Sequence, residues 1–325
     1  ATKYFVQGAV ATGLLVLALA VLFALGGGSL DYAAVISGGA DGFPRSAALL
    51  GFALLTCVLA FKAGAFPFHS WAPDAYETAE RPVAALLAST PKVAVLAAVV
   101  YVFLPVQEAG AALSPAVPSM LFALLALASI VFGNLAALRQ RSLTRMLAYS
   151  GIAQVGYALV GIAAGQGSAT LVFAGLYGLA AAGAFLAAEA VSEGDPGWDG
   201  SIAGLAGLSR RRPALAAALA ALMLSLTGIP LFGGFVGKLA VFAGAAGPLT
   251  WLVVVGVVGS VVSFGYYGSV LRSVYLAEET ETADPDGRTA GPATAVTICL
   301  AVLTVLFGLV PVVLKASWLS VLISR

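Results

Sequence analysis

A chain of 325 residues carries only 10% charged side chains against 61% hydrophobic ones, and its formal net charge is +1. A soluble domain needs roughly 25% charged residues to cover its surface, so the solvent of this chain is largely lipid, in keeping with a mean hydropathy of +1.01. The near-neutral balance gives no basic field for nucleic acid. One histidine and two cysteines, Cys57 and Cys299, without CxxC spacing imply no disulfide or metal site and cannot hold haem or an iron–sulfur cluster in the usual ways. Both cysteines lie in apolar runs and are expected to be small buried hydrophobes.

In chain order, stretches of about 20 apolar residues, the length a spanning helix needs, fall at 4–25, 46–66, 83–104, 117–138, 143–164, 169–191, 213–245, 251–276 and 291–313. The fold class is therefore all-α, a polytopic transmembrane bundle of nine helices. The start, ATKYFVQGAV, has no Met and no signal-peptide pattern and reads as a truncation. The second stretch runs into Gly64-Ala65-Phe66-Pro67. The seventh is too long for one straight span and contains Gly228-Ile229-Pro230 followed by Gly233-Gly234. Pro67 and Pro230 thus mark two broken helices.

Charge tests the count. With nine alternating helices, one side holds Lys3, Arg81, Arg139, Arg141, Arg145, Arg210, Arg211, Arg212, Arg272 and Arg288, and the other Arg45, Lys315 and Arg325. Ten against three places residue 1 in the cytoplasm and the C-terminus outside. Residues 193–200 form a polar turn and 278–288 an acidic linker. The chain reads as one transmembrane domain, 1–325. Its two interrupted spans are five helices apart and oppositely oriented, as inverted repeats require. Residues 1–116 are then the remainder of a first repeat, 117–276 a second repeat, and 277–325 the linker and final helix.

Three charges lie inside the apolar spans: Lys62, Lys92 and Lys238. A lysine at a helix centre costs about 2.5–3.5 kcal/mol to insert. The eleven arginines all fall in loops or near helix ends. Lysine can lose its proton when buried and arginine cannot, so the division fits a path for protons. A lysine near a helix end can instead snorkel to the interface. Irregular backbone beside Lys62 and Lys238 is tolerated in a membrane only where protein or a water-filled cavity satisfies it. The histidine side chain is of a type suited to proton transfer near neutral pH, which makes His69 a relay candidate, but a lone histidine in an aromatic loop also serves as a structural hydrogen-bonder. Asp74, after Pro73, is a candidate helix cap. Glu189 either snorkels or relays. Tyr149, Ser150, Gln154 and Tyr157 cluster in the fifth span, with 150, 154 and 157 on one face. They suit a water chain or interhelical hydrogen bonds equally. No P-loop, dinucleotide fingerprint or HExxH motif occurs.

The segment LAFKAGAFPFHSWAPDAYETAERPVAALLASTPKVAVLAAV (59–98) resembles the core of the antiporter-like membrane subunits of respiratory NADH–quinone oxidoreductase, as do GNLAALRQRSLTRMLAYSGIAQVGYALVG (133–161) and LSLTGIPLFGGFVGKLAVF (224–242). The FHxWxPDxYE pattern is most similar to subunit N of that complex. The same superfamily includes Mrp-type cation/proton antiporters and membrane-bound hydrogenase subunits. The resemblance implies about fourteen helices with two inverted repeats of about five, of which this chain matches the sixth to the fourteenth. It implies that Lys62, Lys92 and Lys238 translocate protons, with His69 as a further relay. It implies that Gln154 stands where the family often has a titratable histidine, and that the glutamate partner of Lys62 lies outside this chain. It implies a subunit of a proton-translocating NADH–quinone oxidoreductase in the bacterial inner membrane, coupled to quinone reduction elsewhere. This chain would hold no cofactor. NADH, FMN, iron–sulfur clusters and quinone would belong to partner subunits, and its own partners would be neighbouring antiporter-like subunits and lipid. An Mrp-type antiporter on the same residues, or a scaffold subunit with idle lysines, are the rival readings.

Overall fold

The computed structural model describes residues 2–37, 44–109, 114–247, 249–278 and 291–314. The acidic linker, Lys315 and Arg325 lie outside these residues, apart from Glu278. The chain forms thirteen α-helices among the described residues. They are α1 (Thr2–Leu25), α2 (Tyr32–Ser37), α3 (Arg45–Ala63), α4 (Trp71–Thr78), α5 (Arg81–Ala109), α6 (Ala116–Ala137) and α7 (Leu143–Ala163). There follow α8 (Gly167–Gly194), α9 (Leu208–Arg211), α10 (Pro213–Thr227), α11 (Gly233–Ala245), α12 (Thr250–Leu276) and α13 (Pro292–Leu314). Among the described residues the only β-pairing is an isolated bridge between Ser142 and Ser201.

Among the described residues eight helices are long and apolar enough to cross a membrane, and α10 and α11 are two shorter apolar helices on either side of the second break. The protein is a multi-pass membrane protein with the all-α bundle and the two breaks that the sequence predicts. The first break comes earlier than the apolar run suggests: α3 stops at Ala63, and the chain re-enters helix at Trp71.

The core is α7. Every residue of this helix except Arg145 and Tyr149 is buried, and it is wrapped by α4, α5, α6, α8, α11 and α12. Lipid gives no hydrophobic drive for helix association, so close backbone approach matters more. At the α6–α7 crossing a Cβ on Gly133 would lie 2.5 Å from the Ala153 nitrogen. Only glycine admits that approach. The outer helices α1 and α12 instead turn large apolar side chains outward, including Phe5, Val261 and Phe264, as a lipid-facing surface does.

Both breaks follow one local rule. Gly64 (φ 74°) and Gly228 (φ 90°) end their helices in the left-handed conformation, which an L side chain reaches only at a cost. The Gly64 N–H donates back to Ala60 and Phe61, and the Gly228 N–H to Leu224 and Ser225. The Phe66–Pro67 bond in the first break is cis.

Two expectations are corrected. Cys57 is only partly buried and Cys299 is exposed, because the faces of α3 and α13 that carry them turn away from the core. Asp74 is not a cap: it lies in the first turn of α4, and Ser70 occupies the cap position without a side-chain bond. Pro73, which needs no backbone partner in a first turn, lets α4 begin two residues earlier, at Trp71.

Candidate functional site

Proline chemistry builds the first part of the site. Pro91 and Pro105 both lie inside α5, and each lacks the N–H that would bond the carbonyl four residues earlier. Those carbonyls are Leu87 and Tyr101. The Tyr76 hydroxyl donates to Leu87 O at 3.1 Å, and the Tyr32 hydroxyl donates to Tyr101 O. Tyr76 is thereby fixed beside Lys92, the residue after Pro91.

Lys92 is completely buried. Its Nζ sits 5.6 Å from the centre of the Tyr76 ring and 5.8 Å from that of Tyr177, and it donates to the Tyr177 hydroxyl at a long 3.4 Å. No carboxylate pairs with it among the ion pairs of the described residues. Aromatic faces attract the ammonium, but they accept no proton. A Cβ on Gly151 would lie 2.8 Å from Lys92 Nζ and 2.9 Å from the Tyr177 oxygen, so this glycine on α7 makes the space in which the two groups meet.

Lys238 completes the second break. Ending α10 at Gly228 leaves carbonyls of its last turn without intrahelical donors. Lys238, on α11, donates to Leu226 O at 3.1 Å, to Thr227 O at 2.9 Å and to Ser260 Oγ at 3.2 Å. Those are the three donors an ammonium has. Gln154 Nε2 donates to the same Leu226 carbonyl at 2.7 Å, which ties α7 to the lysine through one shared acceptor. The Lys238 ammonium also lies 4.5 Å from the centre of the Tyr157 ring. Behind that ring, Asn134 Nδ2 donates to the Tyr157 oxygen at 3.1 Å, and Tyr266 donates to Asn134 Oδ1 at 2.9 Å.

The other residues singled out from the sequence lie less centrally. Lys62 is exposed and lines an open cavity of about 620 Å³ between α1, α3 and α5. His69 is half-buried and packs on Phe66 and Phe132, with ring centres 5.3 Å and 4.4 Å away. Ser150 is buried and donates to Leu147 O at 2.8 Å. Tyr149 departs from its cluster: it is half-buried and turns toward Arg145. Of the four polar residues of α7, the structure brings Gln154 and Tyr157 to a lysine.

At the arginine-rich end of the bundle several charges are paired. Arg145 bonds Glu77 at 2.6 Å and approaches Asp74 at 3.6 Å. Arg81 meets Glu189 at 3.6 Å and lies over the Trp198 ring. In the loop beyond α8, the Ser201 hydroxyl and N–H hold the Asp199 carboxyl below the usual carboxylate range.

Sequence reasoning missed Tyr76, Tyr177, Asn134 and Ser260. Tyr76 was findable, because a proline inside a spanning helix demands a donor for its orphaned carbonyl. Tyr177, Asn134 and Ser260 are single polar groups in apolar runs, and nothing local marks them.

The family profile of NADH:quinone oxidoreductase/Mrp antiporter transmembrane proteins matches residues 1–263. The chain belongs to this family. It is 38% identical over 323 residues to NADH-quinone oxidoreductase subunit N 2 of Sorangium cellulosum, covering 95% of this chain and 63% of that one. It is 39% identical over 326 residues to the protein of the same name from Acidobacterium capsulatum, covering 96% and 64%. The chain thus spans somewhat under two thirds of the length of these curated relatives. A chain of respiratory complex I from Thermus thermophilus with bound aureothin superposes with a TM-score of 0.77 at 33% identity, covering 96% of this chain and 67% of that one. A chain of the Mrp complex from Dietzia sp. superposes with a TM-score of 0.83 at 23% identity, covering 96% and 65%, which is a likeness of fold alone.

Proposed function

We propose that this chain acts as proton-translocating membrane subunit N of an NADH–quinone oxidoreductase, with Lys92 and Lys238 as the groups that take up and release protons. The observation that carries this reading is a pair of buried lysines, Lys92 on α5 and Lys238 on α11, with no carboxylate partner among the described residues. An uncompensated buried ammonium is expensive, and a nearby charge that approaches or withdraws moves its proton affinity strongly. Lys62 would serve the entry side, facing an open cavity where a carboxylate from outside this chain would reach it. His69 would act beside the first break. The two breaks belong to two inverted repeats, 1–116 and 117–276, with residues 277–325 as linker and last helix.

In this reading the protein lies in the bacterial inner membrane with residue 1 in the cytoplasm and residue 325 outside. It associates with other membrane subunits, including antiporter-like neighbours. NADH oxidation, through FMN and iron–sulfur clusters, and quinone reduction take place on those partners. Cation/proton antiport of the Mrp type is the second reading, because the matching family profile covers Mrp antiporters too.

The test is Lys92→Ala in the full-length subunit of an assembled complex, with NADH-driven proton uptake and quinone reduction followed together in proteoliposomes. Both should fall at least about tenfold, the rate equivalent of some 1.4 kcal/mol, while assembly stays normal. Wild-type rates for both would make Lys92 structural. Sodium-for-proton exchange that proceeds without NADH would favour antiport.

A further inference from the structure

The second break opens sideways as well as inward. A cavity of about 490 Å³ lies between the end of α10, α11 and α12. Its walls are apolar, with Leu239 and Phe242 from α11 and Val257, Val261 and Phe264 from α12. Leu239, Val257, Val261 and Phe264 are exposed, so the mouth lies on the outer surface of the bundle, where lipid is the solvent. The polar lining is confined to Lys238, Ser260 and the end of α10 at Thr227. Sites for small molecules have this build, with volumes of about 300–1,000 Å³, apolar walls and a few polar groups that fix orientation.

The polar end selects for charge. Lys238 is only 4% exposed, and no carboxylate pairs with it among the ion pairs of the described residues. Its three hydrogens go to neutral oxygens: Leu226 O at 3.1 Å, Thr227 O at 2.9 Å and Ser260 Oγ at 3.2 Å. The longest of the three is to the one acceptor that is not backbone. A carboxylate oxygen in place of Ser260 Oγ would supply the counter-charge the ammonium lacks. The Ser260 hydroxyl, a donor as well as an acceptor, would then donate to the second carboxylate oxygen. Such completing hydrogen bonds are what a buried ion pair needs to be favourable. A cation would be repelled, and an inorganic anion would leave the apolar walls unused. An acid with a long hydrocarbon tail uses both, with its head at the lysine and its tail along Val257 and Val261 toward lipid.

We propose that this cavity is a lateral binding site for a long-chain carboxylic acid, which enters from the bilayer and pairs its carboxylate with Lys238. The occupant would hold Lys238 charged and so slow proton uptake. That consequence rests on the lysine reading above, whereas the binding itself does not.

The experiment uses palmitic acid carrying a photoreactive diazirine, applied to the full-length subunit in the assembled complex in proteoliposomes, with the cross-linked peptides read by mass spectrometry. Cross-links should fall on the segment 239–261, and unlabelled palmitate should compete at least about tenfold better than hexadecanol, which has the same tail without the charge. Tenfold corresponds to some 1.4 kcal/mol. Val257→Trp, which fills the cavity, should abolish the cross-links. Should that variant not assemble, the competition in the wild-type complex decides alone. Equal competition by the alcohol, cross-links scattered over the lipid-facing helices, or none because a neighbouring subunit covers the mouth would each overturn the site. If palmitate binds as expected while Lys92→Ala pumps normally, the lysine reading falls and the acid site stands. If Lys92→Ala loses pumping and palmitate does not bind, the reverse holds.

Discussion

At Gly64 and at Gly228 the chain leaves a helix through the same left-handed turn, yet the carbonyls exposed by the two turns are satisfied differently. At the first break the Trp71 indole N–H bonds Phe61 O at 2.8 Å, and the nearby lysine, Lys62, points into an open cavity. At the second break the lysine itself closes on the carbonyls of Leu226 and Thr227. One break is held by a neutral donor and keeps its cation free. The other is held by its cation. Any change of charge at Lys238 is therefore also a change in how α10 and α11 are joined, whereas a change at Lys62 leaves the first break intact.

The largest expected effect that would sharpen this contrast comes from Lys238→Ala. It strips Thr227 O of its lysine donor and leaves Leu226 O to Gln154 alone. A loss of about 1–3 kcal/mol is expected, seen as a lower melting temperature of the purified protein, together with loss of proton uptake. Lys62→Met, by contrast, should change stability by no more than about 0.5 kcal/mol, as surface substitutions do. Equal destabilisation by the two would erase the distinction.

Gly228→Ala and Gly64→Ala make the next comparison. Both force a left-handed φ on alanine at about 1–2 kcal/mol. At Gly228 the new Cβ would also stand 2.9 Å from Lys238 Cδ, whereas at Gly64 its nearest neighbour is 3.7 Å away. Melting should therefore fall further for Gly228→Ala, and only that variant should slow proton uptake through displacement of the lysine.

Smaller still is Trp71→Phe, which keeps the aromatic packing on Phe61 and Tyr76 and removes one neutral hydrogen bond. It should cost about 1 kcal/mol by thermal denaturation. Gln154→Leu should cost a similar amount, because Leu226 O keeps its lysine. A much larger loss from either would show that the donors at the breaks act as coupled networks rather than as single bonds.

The legibility of these features in the sequence follows their range. Apolar length marked the spans, and Gly-Ile-Pro and Gly-Ala-Phe-Pro marked the breaks, because both signals are local. The three intramembrane lysines stood out because charge in an apolar run is expensive. Their surroundings were not legible. Lys92 meets Tyr177 across 85 positions, and Lys238 meets Ser260 across 22, pairings that no periodicity announces. Tyr149 and Ser150 are sequence neighbours with opposite fates, since a helix turns consecutive residues about 100° apart. Cys299 misled for a related reason: in a membrane an apolar run says that a helix is there, but not which face meets lipid.

The two tyrosine–carbonyl contacts along α5 have a mechanical consequence. Each replaces a rung of the helix ladder with a strut from another element, so α5 is braced at Leu87 by α4 and at Tyr101 by α2. The strut from α4 ends in the ring that cushions the Lys92 ammonium. A tilt of α4 would thus act as a lever on that cushion, loosening the strut and sliding the ring from beneath the charge in one movement. In this way the short helix after the first break, which carries no lysine, would transmit displacement at the bundle's end to the most deeply buried cation among the described residues.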